Sequence, residues 1–381
     1  MKLVHLCLVG AYNEGWTYQE NLLSKYHARL GYDVTLLCIP LEYNQGKLQV
    51  SSETDYVNKE GVHVIRMPEK INFYNRIVFH KGVADTLDKI SPDILFIHGC
   101  QFWDIGEVTK YLKNHPNIVA YVDNHADFSN SATNWLTKNI LHKKIWRYCA
   151  NKIAPYVKRF YGVLPARVDF LTDVYCLPKE KCELLVMGAD DELVEKAMQP
   201  EVRQKIRRKY GIENKDFLIV TGGKIDQSKT QTLLLMEAVH KMENSNVRLI
   251  VFGSVSDELV GRVCSLSDGK KVQYIGWINA DQTYDFFAAS DLVVFPGRHS
   301  VFWEQVAGQG IPMIVKDWPG THHVDLGGNV KFLTHDSVEE ITTAILEVTE
   351  NGKEYAAMKR IAVEKGKEVF SYQCIAERAI C

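Results

Sequence analysis

Two lysines follow an apolar run in the second half of the chain. Lys224 and Lys229 lie in the segment Gly222-Gly223-Lys224-Ile225-Asp226-Gln227-Ser228-Lys229, between a predicted strand and a predicted helix. Glycine lets the backbone approach a ligand closely, and two lysines on one loop can both reach a diphosphate. Such cations would stabilise the negative charge that develops on a departing nucleotide diphosphate. The pattern favours a phosphate site, and two solvated surface lysines are the alternative.

A second segment, 292–305, carries one acid among apolar helical residues. A predicted strand ends there at a Pro-Gly pair, and the helix that follows contains Glu304. The residues that lead into this helix are His299, Ser300 and Val301. A carboxylate in the early turns of a helix, facing a crevice, can accept hydrogen bonds from both hydroxyls of a ribose. The alternative is an acid that only stabilises the positive end of the helix dipole.

Two neighbouring strands also end in small residues. Gly253-Ser254 follows the apolar run Val247–Phe252, and Ile278 comes shortly after the run Val272–Ile275. Ligands of open α/β sheets bind at the carboxyl ends of strands, so a phosphate or the edge of a nucleotide base can rest against these turns. Trp277, beside Ile278, is predicted to pack in the core.

The elements that must position these residues form two series of short apolar runs separated by helical stretches, which predicts two parallel sheets. The first series is Leu3–Val9, Val34–Cys38, Ile94–His98 and Ile118–Val122. The second is Phe217–Thr221, Val247–Phe252, Val272–Ile275, Leu292–Phe295 and Ile311–Val315. A linker is predicted near Met187-Gly188-Ala189-Asp190. Two domains imply a cleft between them, and one large doubly wound sheet is the alternative topology.

Length and composition agree with a two-domain soluble enzyme. The 381 residues exceed one ordinary core, and no apolar run is long enough to span a bilayer. The formal net charge of -2 offers no broad attraction to nucleic acid. The nine cysteines include no C-x-x-C pair, which favours reduced thiols in the cytoplasm over a disulfide framework or zinc knuckle.

With these runs in their order, the sequence resembles the retaining GT-B-fold glycosyltransferases of family 4. The resemblance covers almost the whole chain and rests on five segments: Gly15–Leu23, Leu30–Thr35, Pro92–His98, Met187–Asp190 and Glu304–Pro312. It implies two Rossmann-like domains that face each other across a cleft. Residues 1–187 would bind the acceptor and 188–364 the nucleotide-sugar donor, with a C-terminal helix, 365–381, that packs back on the first domain.

The resemblance also implies roles for individual residues. Lys224 stands where the family usually has an arginine on the diphosphate, and Lys229 matches the family's lysine. His125 is similar to a histidine that approaches the donor sugar, and these three residues form the predicted catalytic set. Glu304 matches the ribose ligand, and Gly15 matches a glycine facing the donor phosphate. The full predicted donor-binding set is Gly15, Gly223, Gly253, Ser254, Ile278, His299, Ser300, Val301 and Glu304.

One departure concerns the donor sugar. The family places a further glutamate eight residues before Glu304, and this chain has Pro296 there. The role of that glutamate passes to His299 or Ser300, or the sugar is held differently. A UDP-sugar is favoured as donor, a GDP-sugar is the second choice, and the sugar itself stays open.

No cofactor is expected, and the chain has no Asp-x-Asp to chelate a metal to a diphosphate, so metal-independent transfer is predicted. His322-His323 with Asp325 has some character of a metal site, but ordinary polar contacts of a loop are favoured. The resemblance implies retention of anomeric configuration, through same-face attack guided by the leaving phosphate.

A basic segment, 134–161, lies in the first half without any acid. Its cations are Lys138, Lys143, Lys144, Arg147, Lys152, Lys158 and Arg159, interleaved with Trp135, Leu141, Ile145, Trp146, Tyr156 and Phe160. Such a helical surface suits anionic lipid headgroups or a lipid-linked diphosphate acceptor, and a solvated face is the commoner alternative.

The predicted partners are therefore a nucleotide-sugar donor, a glycan or lipid-linked acceptor in cell-envelope or capsular polysaccharide synthesis, and the inner face of the plasma membrane. Rival hypotheses are a nucleotide-sugar epimerase or phosphorylase on the same plan, and a non-catalytic nucleotide-sugar binding protein. A dehydrogenase fits less well, because the first strand is not followed by G-x-G-x-x-G.

Overall fold

A computed structural model describes residues 1–44, 46–242 and 246–381. The chain divides into two compact units, each with its own parallel sheet. The first unit comprises Met1–Val186 together with Ile375–Cys381, and the second comprises Met187–Cys374. The alternative of one large sheet is therefore excluded.

The first unit is built on an eight-stranded sheet with two small hairpins beside it. Its strands are β1 Lys2–Cys7, β2 Asp33–Cys38, β3 Leu41–Asn44, β4 Lys47–Val50, β5 Asp55–Val57, β6 His63–Arg66, β7 Glu69–Phe73, β8 Ile77–His80, β9 Ile94–His98, β10 Val119–Asn124, β11 Arg159–Gly162 and β12 Cys182–Leu184. The strand order is β12-β11-β10-β9-β1-β2-β6-β5, and only β5 pairs antiparallel.

Five α-helices connect these strands: α1 Gln19–Arg29, α2 Val83–Ile90, α3 Ile105–Asn114, α4 Arg147–Ile153 and α5 Pro165–Asp173. A π-helix, Thr137–Trp146, runs directly into α4, and 3₁₀ turns occupy Ala154–Tyr156 and Lys179–Lys181. The central strands β1, β9 and β10 are buried on both faces, because the crossover helices cover the sheet.

The C-terminal residues of the chain pack on the first unit's sheet. The hydroxyl of Tyr121, on β10, donates to the carbonyl of Cys381 at 3.1 Å, and that of Tyr161, on β11, donates to the carbonyl of Arg378 at 3.3 Å. These bonds explain why the end of the chain groups with the first unit.

The second unit has a six-stranded, all-parallel sheet in the order β15-β14-β13-β16-β17-β18. The strands are β13 Phe217–Gly222, β14 Val247–Phe252, β15 Val272–Tyr274, β16 Leu292–Phe295, β17 Met313–Lys316 and β18 Val330–Leu333. Its helices are α6 Asp191–Ala197, α7 Pro200–Lys209, α8 Gln231–Lys241, α9 Asp257–Leu266, α10 Ala280–Ala289, α11 Phe302–Gly308, α12 Val338–Glu350 and α13 Gly352–Phe370. A 3₁₀ turn forms at His322–Val324, and α14, Tyr372–Ala379, ends the chain.

Close packing of α11 against α13 fixes the position of the predicted site. A Cβ on Gly366 would lie 2.1 Å from the carbonyl oxygen of Ala307, and one on Gly308 would lie 2.7 Å from the Cβ of Ala189. Only glycine permits these approaches, which seat the short helix α11 deep in the unit. As a result, Glu304 has no exposed surface.

The strands predicted from apolar runs are present in both sheets, with small shifts at their ends. The hairpins β3–β4 and β7–β8 were not predicted, because they lie outside the sheets and expose most of their side chains, so no buried apolar run marks them. Among the helices of the described ranges, none is long and apolar enough to cross a membrane. All nine cysteines are free.

Candidate functional site

The loops that follow β13, β14 and β15 are joined by main-chain hydrogen bonds. The amide of Gly223 donates to the carbonyl of Phe252 at 3.1 Å, and that of Gly253 donates to the carbonyl of Gly276 at 2.8 Å. Gly223 and Gly253 both have φ of 129°, and a Cβ on Gly253 would lie 1.9 Å from the carbonyl oxygen of Gly223. The structure thus brings the predicted residues Gly223, Gly253 and Ser254 together at one edge of the sheet.

Both predicted phosphate lysines lie on the first of these loops. The ammonium of Lys224 is 3.3 Å from Asp226, and its side chain is largely exposed. Hydrogen bonds from Ser228, with the neighbouring Lys224, hold the pKa of Asp226 below its ordinary value. No carboxylate within the described ranges forms an ion pair with Lys229, which is half-buried. Lys229 is therefore the cation that stays available for an anionic ligand.

Glu304 is clamped by two histidines. His299 Nε2 and His323 Nε2 each lie 2.8 Å from the same carboxylate oxygen, Oε1. Burial alone would raise the pKa of Glu304, but the two histidines hold it well below its ordinary value, so the residue is a carboxylate. The histidines donate, and the carboxylate accepts.

The other oxygen of this carboxylate has no partner. Glu304 Oε2 is buried and unpaired within the described part of the chain, and so are His323 Nδ1 and Trp303 Nε1. A buried polar atom without a hydrogen bond costs roughly 1–3 kcal/mol. A carboxylate oxygen without a hydrogen-bond partner is able to receive a hydroxyl donor from a ligand.

The same three side chains also have the composition of a metal site. The ligand atoms of His299, Glu304 and His323 all lie within 4.8 Å of one another, and two imidazoles with one carboxylate can hold a divalent transition metal. The two N–H···O hydrogen bonds explain the cluster without an ion. Metal independence stays a prediction.

Sequence reasoning missed His323 as a member of this cluster. It considered His323 only with its neighbours His322 and Asp325, and the structure separates the three. His322 pairs with Asp317 at 2.6 Å, and Asp325 accepts main-chain hydrogen bonds from Gly327 and Gly328. A signal was present: His323 follows β17, the strand paired with β16, so both strand ends lie at one edge.

The remaining predicted donor residues surround this cluster or the neighbouring loop. Ser300 and Val301 are half-buried and accept main-chain bonds from the first turn of α11. Ile278 is half-buried beyond β15. Trp277 is 70% exposed, so the prediction that it packs in the core is wrong.

Two predicted residues belong to the first unit. Gly15 lies exposed in the loop between β1 and α1, with φ of 76°, a conformation that favours glycine. His125 follows β10 and is partly exposed, and its Nε2 lies 3.4 Å from Asp123 Oδ2. His98 Nδ1 contacts that same oxygen at 2.8 Å. Sequence reasoning named His125 and missed Asp123, although the two are separated by one residue.

The basic segment 134–161 is divided by the structure into buried and exposed residues. It is helical only to Tyr156, and then enters β11. Trp146 and Phe160 lie in the hydrophobic core, so they are unavailable to a partner. Its large exposed side chains are Trp135, Leu136, Tyr148, Lys144, Lys152 and Lys158. The predicted surface is therefore smaller than the sequence suggested.

Known proteins resemble this chain in sequence and in fold. Residues 202–365 match the family model of glycosyl transferases group 1. The mannosylfructose-phosphate synthase of Agrobacterium fabrum is 23% identical over 231 residues, which are 57% of this chain and 50% of that protein. The chain spans about half the length of the curated relatives it matches.

Solved structures resemble the whole chain. A glycosyltransferase from Rickettsia africae has a TM-score of 0.68 at 15% identity, with 99% of this chain and 96% of that chain covered. Anabaena HepE, solved in complex with UDP-glucose, has a TM-score of 0.65 at 15% identity, with 100% and 98% covered. At this identity the likeness shows the fold, which is the predicted two-domain GT-B class.

Proposed function

We propose that this chain transfers a sugar from a nucleotide-diphosphate sugar to a hydroxyl group. Residues 202–365 match the family model of glycosyl transferases group 1, which supports this proposal. The observation that carries the proposal is the unpaired Oε2 of Glu304, buried at the edge where the strands of the second unit end. A nucleotide is a ligand that supplies both a hydroxyl donor for this oxygen and a diphosphate for lysines.

Glu304 would bind the ribose. Its Oε1 is already occupied by two histidines, so Oε2 is the oxygen that accepts a ribose hydroxyl. This modifies the prediction that the carboxylate accepts both hydroxyls. The charge of the carboxylate makes the hydrogen bond stronger than one between neutral groups.

Lys229 and Lys224 would bind the diphosphate. They lie on the loop after β13, and β13 pairs with β16, whose end leads to Glu304. The two strand ends are therefore adjacent, as ribose and diphosphate are adjacent in a nucleotide. Positive charge here stabilises the leaving diphosphate in the transition state. The main chain near Ile278 is proposed to contact the nucleotide base.

The finer features of the reaction are proposed in the same way. UDP-sugar is the favoured donor, a choice that agrees with the UDP-glucose bound by Anabaena HepE. We infer retention of configuration by same-face attack, no requirement for a metal, and a glycan or lipid-linked acceptor in envelope or capsular polysaccharide synthesis. His125 is proposed to contact the donor sugar.

The decisive experiment is a panel of UDP-, GDP- and ADP-sugars, incubated with the purified chain with and without acceptor glycans. We expect release of one nucleoside diphosphate, and proton NMR of the product should show retained configuration. Binding without release would favour a non-catalytic binding protein, and epimerised sugar would favour an epimerase. If no donor is bound or consumed, the proposal fails.

The exposed part of the basic segment is proposed to contact anionic membrane. Lys144, Tyr148 and Lys152 follow one another at four-residue spacing, so they share one helix face, and Trp135 and Leu136 are exposed at the start of the same helical stretch. Aromatic and basic side chains together suit the headgroup region.

Vesicle flotation tests this contact. The chain should float with vesicles that contain anionic lipid at low salt, and not with neutral vesicles. The double variant Lys144→Glu with Lys152→Glu should abolish flotation. Trp277→Ala is the control and should float normally, because it removes an indole of the second unit that is as exposed as Trp135 but lies outside the basic segment. Equal flotation of both variants would contradict the proposed contact.

A further inference from the structure

Three histidines of the first unit form one buried hydrogen-bonded chain. His5 Nδ1 lies 2.9 Å from His98 Nε2, and His5 Nε2 lies 2.9 Å from His27 Nδ1. At one end, His27 Nε2 is 2.9 Å from the carbonyl oxygen of Ala376, and at the other, His98 Nδ1 is 2.8 Å from Asp123 Oδ2. The three hydrogen-bonded histidines thus link four elements, β1, α1, β9 and β10, with the C-terminal helix α14.

A count of the protons shows that the three hydrogen-bonded histidines together carry a positive charge. Both of its ends, a carbonyl and a carboxylate, accept hydrogen bonds and donate none. The four hydrogen bonds therefore need four N–H groups, whereas three neutral imidazoles supply only three. One additional proton satisfies every bond, so the three histidines together are a monocation.

The position of Asp123 places this charge on His98. Burial alone would lower the pKa of His98, but the neighbouring carboxylate raises it. Burial, together with the neighbouring histidines, lowers the pKa of His5 well below its ordinary value, and burial lowers that of His27 to about 4. The stable arrangement is an imidazolium at His98 with neutral rings at His5 and His27.

The other charged and titratable groups around the chain agree with this assignment. Glu20, on α1, is a second carboxylate whose charge favours protonated His98. Tyr32 meets the ring of His27 edge-on. The Cys7 thiol is neutral, because burial and the nearby acids raise its pKa. The ring of Phe96 packs beside both histidines, with its centroid 5.5 Å from that of His5 and 5.1 Å from that of His98.

Asp123 in turn contacts His125. Its Oδ1 accepts the main-chain N–H of Gly99 at 3.1 Å, and its Oδ2, already held by His98, lies 3.4 Å from His125 Nε2. A carboxylate fixed by two donors from β9 and its turn has one orientation. It therefore selects the tautomer of His125 that carries its proton on Nε2 and leaves Nδ1 unprotonated.

We propose that His98 is a positioning residue for His125: the additional proton, carried by His98, holds Asp123 as a fixed carboxylate, and Asp123 sets the orientation and tautomer of His125. The role at the sugar rests on the proposed function. At its other end the row of three histidines meets the carbonyl of Ala376, which accepts a hydrogen bond and donates none.

Two glutamine variants separate the proton from mere packing. In His98→Gln, the side-chain amide donates to both Asp123 and His5, so no additional proton is needed. In His27→Gln, the amide donates to Ala376 and its oxygen accepts from His5, so His98 still needs the additional proton. The two variants remove one buried imidazole each and differ only in whether the charge persists.

Nitrogen-15 NMR of the full chain, labelled at histidine and free of substrate, reads this charge directly. At pH well above the ordinary histidine pKa of about 6.5, one buried ring should keep both nitrogens protonated in the wild type and in His27→Gln. The signal should vanish in His98→Gln and persist in His63→Gln, a control for an exposed histidine paired with Asp55. If the wild type has only neutral imidazole rings, the additional proton on His98 is absent and the inference is wrong.

Two measurements test the positioning role: the tautomer of His125 and the kcat of sugar transfer. In His98→Gln the ring of His125 should lose its preference for the Nε2–H tautomer, and kcat should fall about tenfold, as expected when an orienting partner of a histidine is lost, while nucleotide affinity stays unchanged. His27→Gln should keep both. If the imidazolium is lost and kcat is unchanged, the inference is wrong and the proposed function stands. If the wild type turns over no donor, the proposed function fails. The NMR result still shows whether His98 carries the additional proton.

Discussion

Each unit of this protein buries one carboxylate that two histidines contact through a single oxygen. In the first unit Asp123 Oδ2 lies near His98 and His125, and in the second Glu304 Oε1 accepts from His299 and His323. Neither carboxylate has any exposed surface. The two clusters therefore look alike in composition and burial.

They differ at the second oxygen. Asp123 Oδ1 accepts the main-chain N–H of Gly99, whereas Glu304 Oε2 finds no partner in the described part of the chain. A buried polar atom without a partner calls for an explanation, and a ligand that binds there is one. The difference therefore supports the two proposed roles, positioning for the first cluster and nucleotide binding for the second.

The largest expected effect comes from Glu304→Gln. The amide oxygen still accepts from the two histidines, but an N–H group replaces Oε2, so the hydrogen bond to the ribose is lost. Such bonds to charged groups are worth about 1.5–3 kcal/mol, which corresponds to roughly 10- to 150-fold weaker nucleotide binding. Calorimetric titration with UDP measures the change. Glu350→Gln, on the exposed end of α12, is the control, and equal affinities for the two variants would remove Glu304 from the binding site.

A smaller effect is expected from His323→Asn. Loss of one donor to Oε1 frees the carboxylate to rotate, and one hydrogen bond to a charged group corresponds to about tenfold in affinity for nucleotide. His322→Asn is a closely matched control, because the adjacent histidine pairs with Asp317 outside the cluster. Unchanged affinity in His323→Asn would show that the clamp is only a packing feature.

Acid should destabilise the first unit through His27. Its pKa is lowered to about 4 by burial, so its contribution to the free energy of unfolding is present above the ordinary pKa of about 6.5 and is lost as the pH falls towards 4. One proton bound only by the unfolded chain gives a slope of at most about 1.4 kcal/mol per pH unit. Denaturant unfolding over this range should show a shallower slope for His27→Gln. Parallel slopes would contradict a neutral buried His27.

The smallest expected effect is that of a chelator. Both carboxylates are proposed to act as hydrogen-bond acceptors, so sugar transfer should be unchanged after treatment with EDTA and dialysis. A loss of activity that a divalent transition metal restores would make His299, Glu304 and His323 a metal centre, a reading that their spacing permits. In that case the two clusters would share their residue types but not their function.

Much of the second unit's site followed from strand ends. Apolar runs gave β13, β14 and β16, and parallel strands place their carboxyl ends at one edge, so Lys229 and Glu304 were predicted to be neighbours. His323 was absent from that prediction, because its partner lies 19 residues away and only the pairing of β16 with β17 brings the two together. The exposed Trp277 shows the same limit for a single side chain.

The sequence by itself determined the two parallel-sheet units, the loops that carry the candidate lysines, and the acid of α11, because these depend on periodicity and on residues close together in the chain. Only the tertiary structure decided which polar atoms are satisfied. His5, His27, His98 and Asp123 meet through strand pairing and helix packing, and the end of the chain supplies their last acceptor 349 residues beyond His27. Whether a buried carboxylate positions or binds depends on such distant partners, and no local pattern records them.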